Sequence, residues 1–377
     1  VISIEEFQQD AAAWLAANRH HAPRDYGAIC PPDLVGAGLD WQRRLTDAGW
    51  AGIHWPTEHG GRGLSADHNG VWLLECARAG VPAVFNMVGF VLAGGAIMRY
   101  GTDQQRAHHL RATLATGHVW CQLFSEPGAG SDLGSLGTRA ELDGDRYVVN
   151  GQKVWCSGGR YSNWGILMAR TRPVDPTGEH GAPKHEGISF FLCPMDLPGI
   201  EVRPLRQMTG EAEFDEVFFT DVSLPADCLL GPQHGGWGVG MAVLTSERGH
   251  IGTSVIGLER RLDQMATLAE GRSLGEVERQ QLAQLYGRGS AYKAMARRQG
   301  PIASTAASLM KLGITEMMFD VAMMRGDLDG ADAMLDGTSA AGMLAAPGGR
   351  IAGGSSQVQR NIIGERLLGL PREPRPT

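Results

Sequence analysis

QLFSEPGAGSDLGSLGTRAELDGDRYVVNGQKVWCS, residues 122–157, is the stretch whose reading decides the fold class. A glycine-rich turn from Pro127 to Gly134 sits between apolar, strand-like segments. Two Asx-Gly pairs, Asp143-Gly144 and Asn150-Gly151, each stand between segments that read as strands, which is the signal for tight hairpins. The stretch is a β module. Outside it the period changes: Trp14, Trp41 and Leu45 before it, and the run from Trp237 to Leu268 after it, recur at three and four residues, as helices do. A β module is thus inserted between two helical regions.

Working outward, Ser3 with Glu6 forms a capping-box pattern ahead of the stripe Phe7, Ala11, Trp14 and Leu15. Pro31-Pro32 interrupts, Trp41 and Leu45 mark a helix ending near Gly49, and Trp55 to Gly63 is a loop by its Pro and Gly content. Helical patterns resume through Val71 to Ala79 and Phe85 to Tyr100, and Thr102 with Gln105 caps a further helix that stops near Gly117. Strand-like alternation covers His118 to about Pro225, interrupted by a polar loop, Thr171 to Glu186, expected to be exposed and mobile. Four helical segments follow: Gly236 to Ala269, Val277 to Arg298, one beginning after Gly300-Pro301, and one reaching Leu344. The expected domains are 1–117, helical; 118–230, β; and 231–377, helical.

The 377 residues allow two or three domains with large cores. Hydrophobic residues make up 43% and charged residues 20%, ordinary for a globular chain, which sets disorder aside. The net charge of −7 comes from interspersed acids and bases without a like-charge block, so no nucleic-acid footprint is expected. Six scattered cysteines include no C-x-x-C pair and read as buried small hydrophobes in a reducing compartment. No 18-residue apolar run occurs, so no membrane span is expected, and a cytoplasmic location is the expectation.

The glycines of SEPGAGSD (Ser125 to Asp132) do not make a dinucleotide fingerprint, because a strand and hairpin follow where a helix should open. In VWCSGG (Val154 to Gly159), Trp155 and Ser157 are two residues apart and share a face of a strand. There a flat indole can lie along a planar ring system while the hydroxyl donates a hydrogen bond to it, which suits an isoalloxazine.

Together SEPGAGSD, NGQKVWCSGG, EVFFTDVSLP and the C-terminal GGSSQVQRNIIGERLLGLP resemble the acyl-CoA dehydrogenase family over nearly the whole chain. The resemblance implies an α+β, mainly α fold: an N-terminal helical domain, a central β-barrel-like domain and a C-terminal four-helix bundle, binding FAD. It also implies that Gln122, Phe124 and Ser125 line the flavin edge, Trp155 stacks near the ring and Ser157 bonds it near N5. Ser131 would touch FAD or the pantetheine arm of the acyl-CoA substrate, and Ser355 and Gln357 would meet the flavin from the C-terminal domain.

In the family a carboxylate removes the α-proton of the thioester while the β-hydride goes to the flavin. Its commonest position, just before the C-terminal Gly-Ser, is here Gly353, which has no side chain to accept a proton. A second family position is filled by Glu247, followed by Arg248. Glu247 lies three residues after Leu244 and four before Ile251, on the apolar stripe of its helix. Partial desolvation there would raise its pKa and suit it to general-base work. Arg248 would orient Glu247 or the substrate, or anchor the helix, and backbone N–H groups around Gly353 would polarise the thioester carbonyl.

The family's Arg-x-x-Phe-Gly segment is here AEGRSLGEVERQ (269–280), and its Gln-x-x-Gly-Gly stretch is reduced to APGGRIAGG (346–354). Both departures fall on the intersubunit half of the FAD site, and they occur in actinobacterial relatives built from two different subunits that act on sterol side-chain thioesters. The expected partners are an electron-transferring flavoprotein and either further copies of this chain or a second acyl-CoA dehydrogenase-like subunit in a heterotetramer. The alternatives are a flavin oxidase or monooxygenase on the same fold, and a non-catalytic subunit of a heteromeric dehydrogenase.

Overall fold

The computed structural model describes residues 2–26, 29–174, 183–250, 254–270, 272–296, 303–335 and 337–372, with backbone alone at 246–250, 254–256, 259, 303–306 and 338. The chain divides into two compact units, Val1–Ser246 and Glu247–Thr377.

The first unit begins with α1 (Ile4–Asn18), where Ser3 Oγ accepts from the Glu6 N–H at 3.2 Å and Glu6 Oε2 accepts from the Ser3 N–H at 3.0 Å. The reciprocal bonds satisfy two amides that a helix start would leave unpaired. Helices α2 (Val35–Asp47), α3 (Ala66–Ala79), α4 (Gly94–Tyr100), led in by a π turn, and α5 (Asp103–Leu114) follow. Thr102 and Gln105 cap α5 reciprocally, as their spacing predicts. Phe7, Trp41, Trp50 and Trp72 are buried together, with Trp50 stacked on Trp72 at 4.8 Å. Each such ring removed from water contributes roughly 2–3 kcal/mol.

Seven strands then form one curled sheet, a half-barrel: β1 (Trp120–Leu123), β2 (Arg139–Asp143), β3 (Arg146–Ser157), β4 (Trp164–Arg170), β5 (Ile188–Pro194), β6 (Ile200–Leu205) and β7 (Phe214–Pro225). The order is β1-β4-β2-β3-β7-β6, with β5 antiparallel to β4. Strand β4 is apolar on both faces because both are covered. Ile166 and Met168 join the core shared with the N-terminal helices, while Leu167 and Ala169 join a second core with Cys121, Phe191, Val217 and Val222. Alternation thus survives inside an uninterrupted apolar run.

One of the two expected hairpins is not a hairpin. Asp143-Gly144 behaves as read: β2 and β3 pair from Asp143↔Arg146 outward, with Gly144 at φ 61°. Asn150-Gly151 instead lies inside the continuous strand β3, where the register with β7 shifts between Val149 and Gly151. Asn150 Oδ1 accepts from the Asp221 N–H at 2.9 Å, and its Nδ2 donates to Asp221 Oδ1 at 3.0 Å, filling the gap in the ladder. Gly151 is needed for close approach, since a Cβ there would stand 2.4 Å from Thr138 Oγ1. The pair marks a β-bulge.

Five of the six cysteines are buried and all six are free thiols. The strands give way to α6 (Gly236–His250).

The second unit holds α7 (Ser254–Glu270), α8 (Glu276–Ala296), α9 (Ala303–Asp329), α10 (Thr338–Ile351) and the short α11 (Ser356–Ile362). Leu258, Leu262 and Met265 of α7, Leu285 of α8, and Met317, Val321, Met324 and Leu328 of α9 form its core. Helix α10 packs along α9. The expected single helix from Gly236 to Ala269 corresponds to α6 and α7, and residues 251–253 between them lie outside the described residues. So do residues 175–182 of the loop expected to be mobile.

Candidate active site

After β1 the segment Phe124-Ser125-Glu126 runs beside β3. The Val154 N–H donates to the Ser125 carbonyl at 2.9 Å, and Lys153 Nζ donates to the Phe124 carbonyl at 3.1 Å and to Glu126 Oε1 at 2.7 Å. The Lys153 side chain is 0% exposed. Glu126 also accepts from the Gly137 N–H at 2.7 Å and the Thr138 N–H at 2.9 Å. One buried ion pair therefore fastens three segments: the end of β1, the start of β2 and the middle of β3. Burial works against both charges and prevails at Lys153, whose pKa is lowered. At Glu126 burial is outweighed by the Lys153 ammonium and the donated hydrogen bonds, so its carboxyl sits below the ordinary value of 4.5.

A second bulge in β3 lies between Lys153 and Cys156. Trp155 takes φ 61°, a left-handed conformation that costs an L-residue about 1–2 kcal/mol. The residue is 54% exposed, its ring edge-on to Phe214 at 5.7 Å. Ser157 closes β3 opposite Phe214, with buried Cys156 between it and Trp155. Gly158, at φ 64°, then turns the chain. Fully buried Asp215 accepts from the Arg160 N–H at 3.0 Å and pairs with its guanidinium at 2.6 Å, holding the turn behind Ser157. Burial pushes the Asp215 pKa up, and the Arg160 contacts offset part of that rise.

Ser125 is joined through its carbonyl to Val154, the neighbour of Trp155, whereas Gln122 lies on β1 opposite Ile166 of β4 and Ser157 ends β3 opposite Phe214. Phe124 is buried, its ring against Phe190 at 5.7 Å, while Gln122, Ser125 and Ser157 are half-buried. Among the described residues, the side-chain polar groups of Gln122, Ser125, Trp155 and Ser157 form no hydrogen bond within the chain. These groups are open to solvent and free to take hydrogen-bond partners from a bound ligand. A planar ring bearing carbonyl oxygens and ring nitrogens would supply them and cover the indole, so the donor set fits FAD.

Ser131 is exposed on the following turn, which closes through paired Glu126 and Ala129 backbone bonds and runs into a short turn, Leu133–Ser135, rather than a helix. Asp132 pairs with Lys184 at 2.8 Å, and the buried Arg170 guanidinium donates to the carbonyls of Gly134, Leu136, Lys184 and Glu186. Reading the sequence alone missed Lys153, Glu126 and Arg170. The available signal was a lysine in the apolar run of β3 with an acid in the preceding motif.

In the second unit, the link from α10 to α11 carries Gly353 and Ser355, and Gln357 stands in the first turn of α11. Gly353 and Gly354 take φ 65° and 93°, and Gln359 Nε2 reaches both their carbonyls at 3.2 and 3.4 Å. Successive positive φ values explain why glycine stands at 353, where a side chain would be strained. Ser355 caps α11 by accepting from the Val358 N–H at 3.3 Å, and Gln357 is exposed. Ser356 Oγ donates to Glu316 Oε1 at 2.6 Å, and Glu316 pairs with Arg350 at 2.9 Å and Arg360 at 3.8 Å. Glu247 and Arg248 lie in the last turn of α6, and their side chains are outside the described residues.

A helical region, a curled sheet and a second helical region follow one another along the chain, and Trp155 stands exposed at the second bulge of β3. The family profiles for the N-terminal, middle and C-terminal domains of acyl-CoA dehydrogenase match residues 5–117, 121–222 and 234–368. Acyl-CoA dehydrogenase IpdE1 of Mycobacterium tuberculosis is 37% identical over 98% of this chain and 98% of its own length. Among solved structures, the Tcur3481-Tcur3483 steroid acyl-CoA dehydrogenase superposes with a TM-score of 0.84 at 25% identity, covering 98% of each chain. The ChsE4-ChsE5 complex from M. tuberculosis gives 0.79 at 27% identity, again over 98% of each chain. The chain belongs to the acyl-CoA dehydrogenase family; its cofactor is FAD and its reaction the α,β-dehydrogenation of an acyl-CoA thioester. No helix among the described residues is long and apolar enough to cross a membrane.

Proposed function

We propose that this chain dehydrogenates a bulky, steroid-tailed acyl-CoA to its 2,3-enoyl thioester, with Glu247 as the base, within a heteromer that includes a second acyl-CoA dehydrogenase-like subunit. The observation that carries the site is the exposed Trp155 indole, two residues from the uncommitted hydroxyl of Ser157. When bound, FAD supplies a hydride acceptor at N5. Gln122, Phe124 and Ser125 would line the flavin edge, Ser157 would bond the ring near N5 and Trp155 would stack near it. Ser131 holds the cofactor or the pantetheine arm. Glu247 takes the α-proton, Arg248 orients it or the substrate, and backbone N–H groups around Gly353 draw electron density from the thioester carbonyl. Ser355 and Gln357 complete the ring's surroundings. The steroid class and the heteromer are supported by the steroid acyl-CoA dehydrogenase and two-component complexes that this chain resembles. The shortened 346–354 segment supports them too. Electrons then pass to an electron-transferring flavoprotein, in the cytoplasm.

A panel of short, long, branched and steroid-tailed acyl-CoA thioesters, scored by anaerobic flavin bleaching, tests the substrate class. The steroid-tailed members should bleach fastest, and a preference for short linear chains would overturn it. Glu247→Gln should retain FAD and abolish bleaching, whereas bleaching at the parent rate would remove Glu247 as the base. Rapid reoxidation by oxygen with peroxide release would favour an oxidase instead.

A further inference from the structure

Away from the flavin platform, His108 and His109 of α5 meet His118, which follows the helix end. Thr116 takes φ 65°, and the N–H groups of Gly117 and His118 both return to the Ala112 carbonyl, at 2.8 and 3.1 Å. This turn folds His118 back against the helix. One ligand nitrogen from each of the three rings can be chosen so that all lie within 4.8 Å of one another. The Nδ1 atoms of His109 and His118 are 3.2 Å apart. Two nitrogens bound at 2.0–2.1 Å to one tetrahedral ion stand about 3.3 Å apart, so this pair has the spacing an ion imposes. Beyond that contact, no ring nitrogen of the three has a hydrogen-bond partner among the described residues. Trp164 lies edge-on to His109 at 4.5 Å and limits its rotation.

We propose that His108, His109 and His118 bind a divalent first-row transition ion, with zinc as the best fit, leaving one position for water. Three imidazoles suit zinc, copper or nickel and disfavour magnesium or calcium, which take oxygen ligands. His108 is exposed and His118 half-buried, so an ion has access from solvent. The ion would tie α5 to the approach of β1, the strand that carries Gln122.

Untagged holoenzyme stripped by chelator and titrated calorimetrically with Zn2+ should take up about one ion per chain, with no uptake of Mg2+. His108→Ala, at an exposed position, and His118→Gln should each weaken uptake by more than about tenfold. The parent's thermal midpoint should rise with zinc, and that of the folded His108→Ala variant should rise less. Absence of Zn2+ uptake by the parent, or unchanged uptake by the folded His108→Ala variant, would overturn the site.

Discussion

Lys153 with Glu126 in the first unit, and Glu316 with Arg350 and Arg360 in the second, each fasten a turn that carries candidate flavin or substrate residues. Their surroundings differ. The Lys153 and Glu126 side chains are 0% and 11% exposed, whereas Glu316, Arg350 and Arg360 are 22%, 38% and 56% exposed. A buried pair contributes little net stability when intact, yet loss of one partner strands the other charge out of water. A wetter cluster loses only a screened attraction, because water replaces the missing partner. Placement should therefore decide how much each clamp matters, more than the number of bonds it makes.

The largest expected effect is from Glu126→Ala, which leaves the Lys153 ammonium buried without its counter-charge. A loss of about 3–5 kcal/mol is expected in urea unfolding, with reduced FAD content after purification. Lys153→Met should cost less, since Glu126 keeps the Gly137 and Thr138 N–H groups. Equal losses for the two variants would break the comparison. Acid gives the next effect. Both carboxyls sit below 4.5 when folded, so their contributions are present above that pH and are lost as pH falls through the folded values. Unfolding midpoints followed from neutrality downward should drop more steeply in the parent than in Glu126→Gln, with a smaller difference for Glu316→Gln.

At neutral pH Glu316→Gln should cost about 1 kcal/mol, because the amide oxygen can still accept from Ser356. Its unfolding curve in low and high salt would sharpen the contrast, since only the wetter cluster should respond strongly to screening. Arg360→Ala is expected to be the smallest change, within about 0.5 kcal/mol, as its contact with Glu316 spans 3.8 Å at an exposed position. A loss comparable to that of Glu126→Ala would show that exposure is not what separates the clamps.

Much of the fold was legible because period and capping are local. Ser3 with Glu6 and Thr102 with Gln105 start helices where their spacing says, and the apolar stripes of α1 and α2 are the buried ones. The two Asx-Gly pairs show where local reading ends. Both supply the same turn chemistry, but β7 runs beside Asn150, and Asp221 answers it with two hydrogen bonds, so the chain bulges instead of reversing. At the C-terminal motif, Gln357 is exposed, while Gln359 is buried and holds the glycine turn. Two glutamines two residues apart look alike until the helix shows which one faces inward.

The sequence by itself determined the order helix, sheet, helix, and the family and hence FAD, because these rest on period, spacing and motif. Only the tertiary structure decided that a buried lysine ties β3 to the segments after β1 and before β2, that Trp155 stands out on a bulge, and that three histidines converge at the end of α5. Each depends on which distant backbone lies alongside and how much water it excludes, and desolvation belongs to the packed chain rather than to any short stretch of it.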